Sequence, residues 1–308
     1  AGATYNDKNV AGANKVSYTG VALGGTGAGN YSLAATTAQG AGSITAKQLN
    51  LALTGGARFD KTYDGTANVT QTLTKDRNYT LTNFVNGEGE GITITGAGTY
   101  TDKNAGTGKA VTFTGLTLTG TGATNYVLNT ATLAGTGTIA PRALTLGTVA
   151  AQTKTYDGTT AADTAQFSAT LNNVVNGEEG SVTATAAGAT YNSKDVRAAN
   201  TVGYTGVQLT GAGAGNYSIA STAQGAGRIT PKQLTLDLTG GARFDKTYDG
   251  NNRVTQLLTK GTNYTLANFV TGEGTGIELA PATGTYTDKN AAADKAVTFD
   301  GLTLTGTG

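Results

Sequence analysis

Carboxylates, lysines and hydroxyls carry almost all the chemistry open to this sequence, because its 308 residues include no Cys, His, Met or Trp. No imidazole can act as a base, no thiolate as a nucleophile or disulfide half, and no His-bearing zinc site can form. The most specific string is Lys-Thr-Tyr-Asp-Gly, at Lys61 to Gly65, Lys154 to Gly158 and Lys246 to Gly250. Its candidate residues are Tyr63, Asp64 and Gly65, Tyr156, Asp157 and Gly158, and Tyr248, Asp249 and Gly250. The aspartates offer the hard oxygens that Ca²⁺ selects. Each loop carries a single carboxylate, however, and an Asp-Gly pair after a strand makes an Asx-turn with Gly in the left-handed region. The turn is the preferred reading, with the preceding Tyr anchoring it in the core; Ca²⁺ is the alternative, and no other cofactor is expected.

A second landmark, Asn-Tyr, occurs at Asn30-Tyr31, Asn125-Tyr126 and Asn216-Tyr217. A third, Tyr-Thr-Asp-Lys-Asn, occurs at Tyr100 to Asn104 and Tyr286 to Asn290, with Tyr191 to Asp195 in its place between them. Lys and Asn in one turn invite an isopeptide bond, but neighbours on a turn lack the buried cross-strand geometry that bond needs. Glu88 with Glu90, and Glu178 with Glu179, are the carboxylates that could pair for acid–base work. They lie on glycine-rich turns, where solvent is expected to keep their pKa ordinary, so the chain is not expected to be an enzyme. The glycine cluster Gly24 to Gly29 lacks the Lys-Ser/Thr of a phosphate loop, and the Thr-x-Thr patterns are too scattered over different strands to form one ice-binding array.

These landmarks belong to a repeat of domain size. Tyr63, Tyr156 and Tyr248 stand 93 and 92 residues apart, and alternate copies match better than adjacent ones. Lys47 to Gly65 reappears at Lys232 to Gly250, and Gly2 to Asn14 at Gly188 to Asn200. The expected organisation is the C-terminal half of a B-type repeat over 1–46, an A-type repeat over 47–141, a B-type repeat over 142–231 and an A-type repeat without its last strands over 232–308. Both ends fall inside a repeat, as in a window from a longer array. The junctions Ile139-Ala140-Pro141 and Ile229-Thr230-Pro231 contain proline and no Gly/Ser tract, which predicts limited angular freedom.

Within a repeat, period-two alternation such as Leu49-Asn50-Leu51-Ala52-Leu53 predicts half-buried strands. In the first complete repeat they are expected near 48–53, 57–62, 68–74, 78–85, 91–95, 109–119, 125–129 and 133–139. Seven or eight short strands without a helical stripe predict an all-β array of immunoglobulin-like antiparallel β-sandwich domains forming an elongated, semi-rigid rod, with β-grasp-like repeats as the alternative. The recurring aromatics, Phe59, Tyr63, Tyr79, Phe84, Tyr100, Phe113 and Tyr126, mark the core.

Lys+Arg 21 against Asp+Glu 20 leaves a net charge of +1, with no basic stripe for nucleic acid. The longest apolar stretches are a few residues, against the ~20 that a membrane helix requires, so this segment is not expected to insert in a membrane.

Taken together, the Tyr-Asp-Gly turn, the glycine-rich all-β body, the Asn-Tyr-[SV]-[LI] strand and the Ile-x-Pro-[KR] exit resemble the YDG/MBG repeats of bacterial two-partner-secreted, haemagglutinin-like adhesins. The resemblance implies an extracellular location at a Gram-negative cell surface and a stalk that projects an adhesive tip in biofilm or cell–cell adhesion. It implies no catalytic residues. The partners it implies are the flanking repeats of the same chain, and in an alternative reading matrix exopolysaccharide or neighbouring adhesin copies bound by the repeats themselves. A chain without Cys also passes an oxidising periplasm with no risk of a disulfide.

Overall fold

Leu49 and Leu51 point inward and Gln48, Asn50 and Ala52 outward along the strand Lys47–Leu53, as alternation demands. The same pattern, repeated through the chain, gives an all-β protein in a computed structural model that describes residues 1–306. Thr307 and Gly308, the last residues of the expected fourth repeat, lie outside the described residues. Among the described residues the only helical elements are single 3₁₀ turns such as Ala123–Asn125 and Ala214–Asn216. The chain divides into two compact units, one formed by Ala1–Thr145, Leu171–Ala184 and Leu209–Ala220, the other by Leu146–Thr170, Thr185–Gln208 and the residues from Ser221 onward.

The first unit contains β1 (Gly2–Tyr5), β2 (Lys15–Thr19), β3 (Ala38–Ala41), β4 (Lys47–Leu53), β5 (Lys61–Thr62), β6 (Tyr79–Thr82), β7 (Thr93–Tyr100), β8 (Gly106–Thr119), β9 (Tyr126–Leu128) and β10 (Leu133–Ala140). They form sheets of order β1-β2-β3, β6-β4-β9 and β5-β10-β8-β7. Phe59 and Phe113 meet edge to face at 4.6 Å in the middle of the core. That core also takes in Leu144, Val182 and Tyr217 from the sequence repeat that follows.

In the second unit Gln152–Thr155, Thr222–Thr230, Thr201–Thr205 and Gly188–Tyr191 form a four-stranded sheet in that order. Its topology copies β5-β10-β8-β7. The pairs Thr235–Leu238 with Tyr264–Ala267, Gly284–Tyr286 with Val297–Phe299, and Glu278–Leu279 with Leu304–Thr305 complete the unit.

Two expectations are corrected. Pairing is not purely antiparallel: β5 runs parallel to β10, and β4 parallel to β9. The reason for the first is a close approach, since a Cβ on Gly137 would stand 1.8 Å from the Phe59 carbonyl oxygen. With glycine there, the 57–60 segment lies against β10 and Phe59 N–H donates to the Thr136 carbonyl at 3.1 Å. The expected strand over 68–74 is absent; this stretch is held by the single bridge Asn68↔Thr99 and by Val69 N–H donating to the Gly98 carbonyl.

Candidate functional site

The first two residues of the Lys-Thr-Tyr-Asp-Gly motif form β5, and its lysine turns back into the loop that follows. The Lys61 ammonium donates to Asp64 Oδ1 at 2.7 Å, to the Thr66 carbonyl at 2.8 Å, to Thr66 Oγ1 at 3.2 Å and to the Asn68 carbonyl at 2.9 Å. It also sits 5.5 Å from the centre of the Tyr100 ring. Asp64 Oδ1 accepts Thr66 N–H at 2.9 Å, which is the expected Asx-turn. Lys154 makes the same set with Asp157, Thr159 and Ala161, and Lys246 a similar one with Asp249 and Asn251. The oxygens that the Ca²⁺ alternative would use are thus filled by an ammonium built into the motif.

Burial pushes the Asp64 carboxyl up, but the bonds from Lys61 and Thr66 outweigh it and hold it below the usual range. Hydrogen bonding from Lys154 holds Asp157 lower still, at about 2.

Tyr63 points the other way, out of its own repeat. Its hydroxyl donates to both oxygens of Glu178, at 2.8 and 2.9 Å, across 115 residues of sequence. Glu178 also accepts Tyr217 OH at 2.7 Å and the Lys103 ammonium at 2.5 Å. The Tyr63 and Tyr217 rings meet edge to face at 5.4 Å. Beside them Asn216 accepts Ala105 N–H at 2.8 Å, so the Asn-Tyr pair of one repeat grips the Asp-Lys-Asn turn of the repeat before it. Gly65 belongs to the same contact: its φ is +79°, and a Cβ there would meet Val175 at 2.8 Å.

The junction recurs. Glu88 accepts Tyr126 OH at 2.6 Å and lies 3.5 Å from the Lys8 ammonium, while Asn125 accepts Val10 N–H at 2.9 Å. In the second unit Tyr156 OH donates to both oxygens of Glu273, at 2.7 and 2.8 Å, with Lys194 at 3.4 Å. A Cβ on Gly158 would meet Val270 at 2.9 Å, as Gly65 meets Val175.

Burial of the motif tyrosine follows this contact. Tyr63, which receives both a glutamate and a second tyrosine, is 1% exposed. Tyr156, which receives the glutamate alone, is half-buried. Tyr248, which within the described residues has neither the last strands of its own repeat nor a later glutamate turn, is 60% exposed, and among the described residues no atom lies within 4 Å of where a Cβ on Gly250 would stand. Tyr63 lies in the hydrophobic core, and there Glu178 and Tyr217 of the neighbouring repeat pack on it beside residues of its own repeat.

The glutamates are corrected as well. Glu178 is only 16% exposed along its side chain, and Lys103, Tyr217 and Tyr63 hold it below the ordinary carboxylate range despite its burial. Glu88 is held low by its bond from Tyr126. The sequence reading missed Glu178, Glu88, Glu273 and their lysines Lys103, Lys8 and Lys194 as junction residues. The available signal was a Gly-Glu pair, Gly87-Glu88, Gly177-Glu178 and Gly272-Glu273, standing at one place in each of the three repeats that carry the Tyr-Asp-Gly motif. Asn30 and Tyr31, the first Asn-Tyr pair, are exposed and join no glutamate among the described residues.

Burial first, and then the Glu178 carboxylate, push the Tyr217 hydroxyl up to about 12. A phenol whose folded pKa is raised contributes stability that is complete below its unfolded pKa of about 10 and lost as pH rises toward the folded value. Unfolding stability should therefore fall more steeply in the native chain than in Tyr217→Phe between pH 10 and about 12. Denaturant titrations at stepped pH read this difference, and identical slopes would remove the contact from the account.

Three stretches of the chain, residues 45–133, 140–224 and 230–308, match the YDG domain family. No curated protein and no solved structure matches the chain.

Proposed function

The chain belongs to the YDG domain family, and from that premise we propose that it is a structural stalk segment of a large secreted bacterial adhesin. In this reading it is an elongated, semi-rigid array of sandwich-like domains at the outer surface of a Gram-negative cell. It holds an adhesive tip away from the cell in biofilm or cell–cell contact and performs no catalysis itself. The observation that carries the reading is the repeated glutamate junction. The tyrosine, glycine, lysine and glutamate are engaged in joining one repeat to the next at Tyr63–Glu178 and again at Tyr156–Glu273, and Asn216 joins them at the first. A chain that commits its most specific residues to self-contact is suited to set spacing and stiffness.

The exposed tyrosines favour this over polysaccharide binding by the repeats. Tyr5, Tyr18 and Tyr31 are exposed, yet their counterparts Tyr191, Tyr204 and Tyr217 are buried where the preceding half-repeat is present. They are core positions and not a stacking platform for sugar rings.

Small-angle scattering of the 308-residue chain tests the proposal. A compact globule of this length has a radius of gyration of about 19 Å. The stalk reading expects a value well above that, with a cross-section of one domain; a radius near the compact value would overturn it.

A further inference from the structure

In each complete repeat the strand near the beginning and the strand at the end are parallel neighbours. β5 pairs with the end of β10 through Lys61↔Ile139 and Thr62↔Ala140. Phe59 N–H to the Thr136 carbonyl at 3.1 Å and Tyr63 N–H to the Ala140 carbonyl at 2.8 Å extend this contact at both ends. In the next repeat Gln152–Thr155 pairs in parallel with Gly227 to Thr230 over four residues, extended by Tyr156 N–H to the Thr230 carbonyl at 2.8 Å. The opening strands are held in the same way. β4 runs parallel to β9 from Lys47↔Tyr126 to Leu49↔Leu128, and Arg142–Ala143 runs parallel to Tyr217–Ser218.

Parallel pairing decides how tension acts. A pull on the two ends of a repeat draws the early strand toward its own N-terminus and the last strand toward its C-terminus. Side by side and in the same direction, the two strands must slide, so all the bonds between them are loaded together. An antiparallel hairpin pulled at its open end would instead release one bond at a time. The second edge of each last strand is also occupied: β10 pairs with β8 from Leu133↔Phe113 to Gly137↔Lys109, and Thr222–Thr230 pairs with Thr201–Thr205.

We infer that each repeat is a tension-bearing shear clamp, closed by its parallel early and last strands and sealed at the Tyr-Asp-Gly motif that follows the early strand. The mechanical role rests on the stalk reading; the clamp rests on strand geometry alone. Forced unfolding is set by the unfolding barrier, and the pulling direction selects which barrier is crossed.

The chain has no Cys, so paired substitutions provide unique handles in the otherwise intact protein. Ala151→Cys with Lys232→Cys loads the Gln152–Thr155 and Gly227 to Thr230 pair in shear. Ala151→Cys with Ala226→Cys pulls the same two paired segments apart from one end, because Ala151 and Ala226 stand just before Gln152 and Gly227, the first residues of the parallel pairing. At equal loading rate the first pair should unfold at a force several-fold above the second. Equal forces in the two directions would overturn the clamp. The failures are separable: equal forces with an expanded scattering profile reject the clamp and leave the stalk, whereas a force difference with a compact profile supports the clamp and rejects the stalk.

Discussion

Replacing the same motif tyrosine by alanine in three repeats should give three different losses of stability. Tyr63→Ala removes a fully buried ring that packs on Tyr217, and it strips Glu178 of one of its donors. Large-to-small changes of an aromatic in a core cost about 3–5 kcal/mol. Tyr156→Ala, with a half-buried ring and a single glutamate partner, should cost less. Tyr248→Ala, at 60% exposure, should stay within about 0.5 kcal/mol of the native chain. Urea unfolding followed by far-ultraviolet dichroism reads all three. The order is the content of the prediction, because the three motifs are identical in sequence and differ in which strands of their own repeat and which residues of the next one meet them. Equal losses at the three positions would mean that each tyrosine serves its own repeat.

The second large effect is expected at the motif lysine. The Lys61 side chain is 3% exposed and satisfies a carboxylate, two carbonyls and a hydroxyl. Lys61→Met keeps the aliphatic stem and the contact with Tyr100 but leaves those oxygens facing one another. Breaking a buried ion pair from one side costs about 3–5 kcal/mol, and the partial exposure of Asp64 places this one near the lower figure. Lys61→Arg should not rescue it, because a planar fork cannot reach four oxygens gathered around a point. Acid dependence provides a second readout. The depressed Asp64 carboxyl contributes stability above its unfolded pKa of about 3.9 that is lost as pH falls through the folded value. That contribution should shrink in Lys61→Met, where only Thr66 still donates to Asp64. An unchanged urea midpoint in this variant would show that the loop closes without its ammonium.

The all-β character was legible in the sequence, since alternation in segments such as Leu49 to Leu53 has one physical meaning. The Asx-turn at Asp64 was legible for the same kind of reason: it is a contact between residues two apart. The parallel pairing of β5 with β10 was not, because it depends on Gly137 lying against Phe59, about 78 residues away, and alternation carries no strand direction. The junction lay further out of reach. Tyr63 and Glu178 are separated by 115 residues, and a glutamate between glycines reads locally as a solvated turn. What the sequence did hold was recurrence, with a motif lysine three residues before each aspartate and a Gly-Glu pair in each repeat that carries the motif. Recurrence marks the positions under constraint without saying what they touch.

The claim that a neighbouring repeat completes the Tyr63–Asp64–Gly65 face is tested most directly by a double-mutant cycle in the intact chain. Tyr63→Phe removes the hydroxyl and keeps the ring; Glu178→Ala removes the carboxylate; the double variant removes both. Hydrogen bonds to charged groups contribute about 1.5–3 kcal/mol. The account therefore predicts a coupling of about 1.5 kcal/mol or more between two residues in different sequence repeats. Losses that add within about 0.5 kcal/mol, as they do for independent sites, would contradict it.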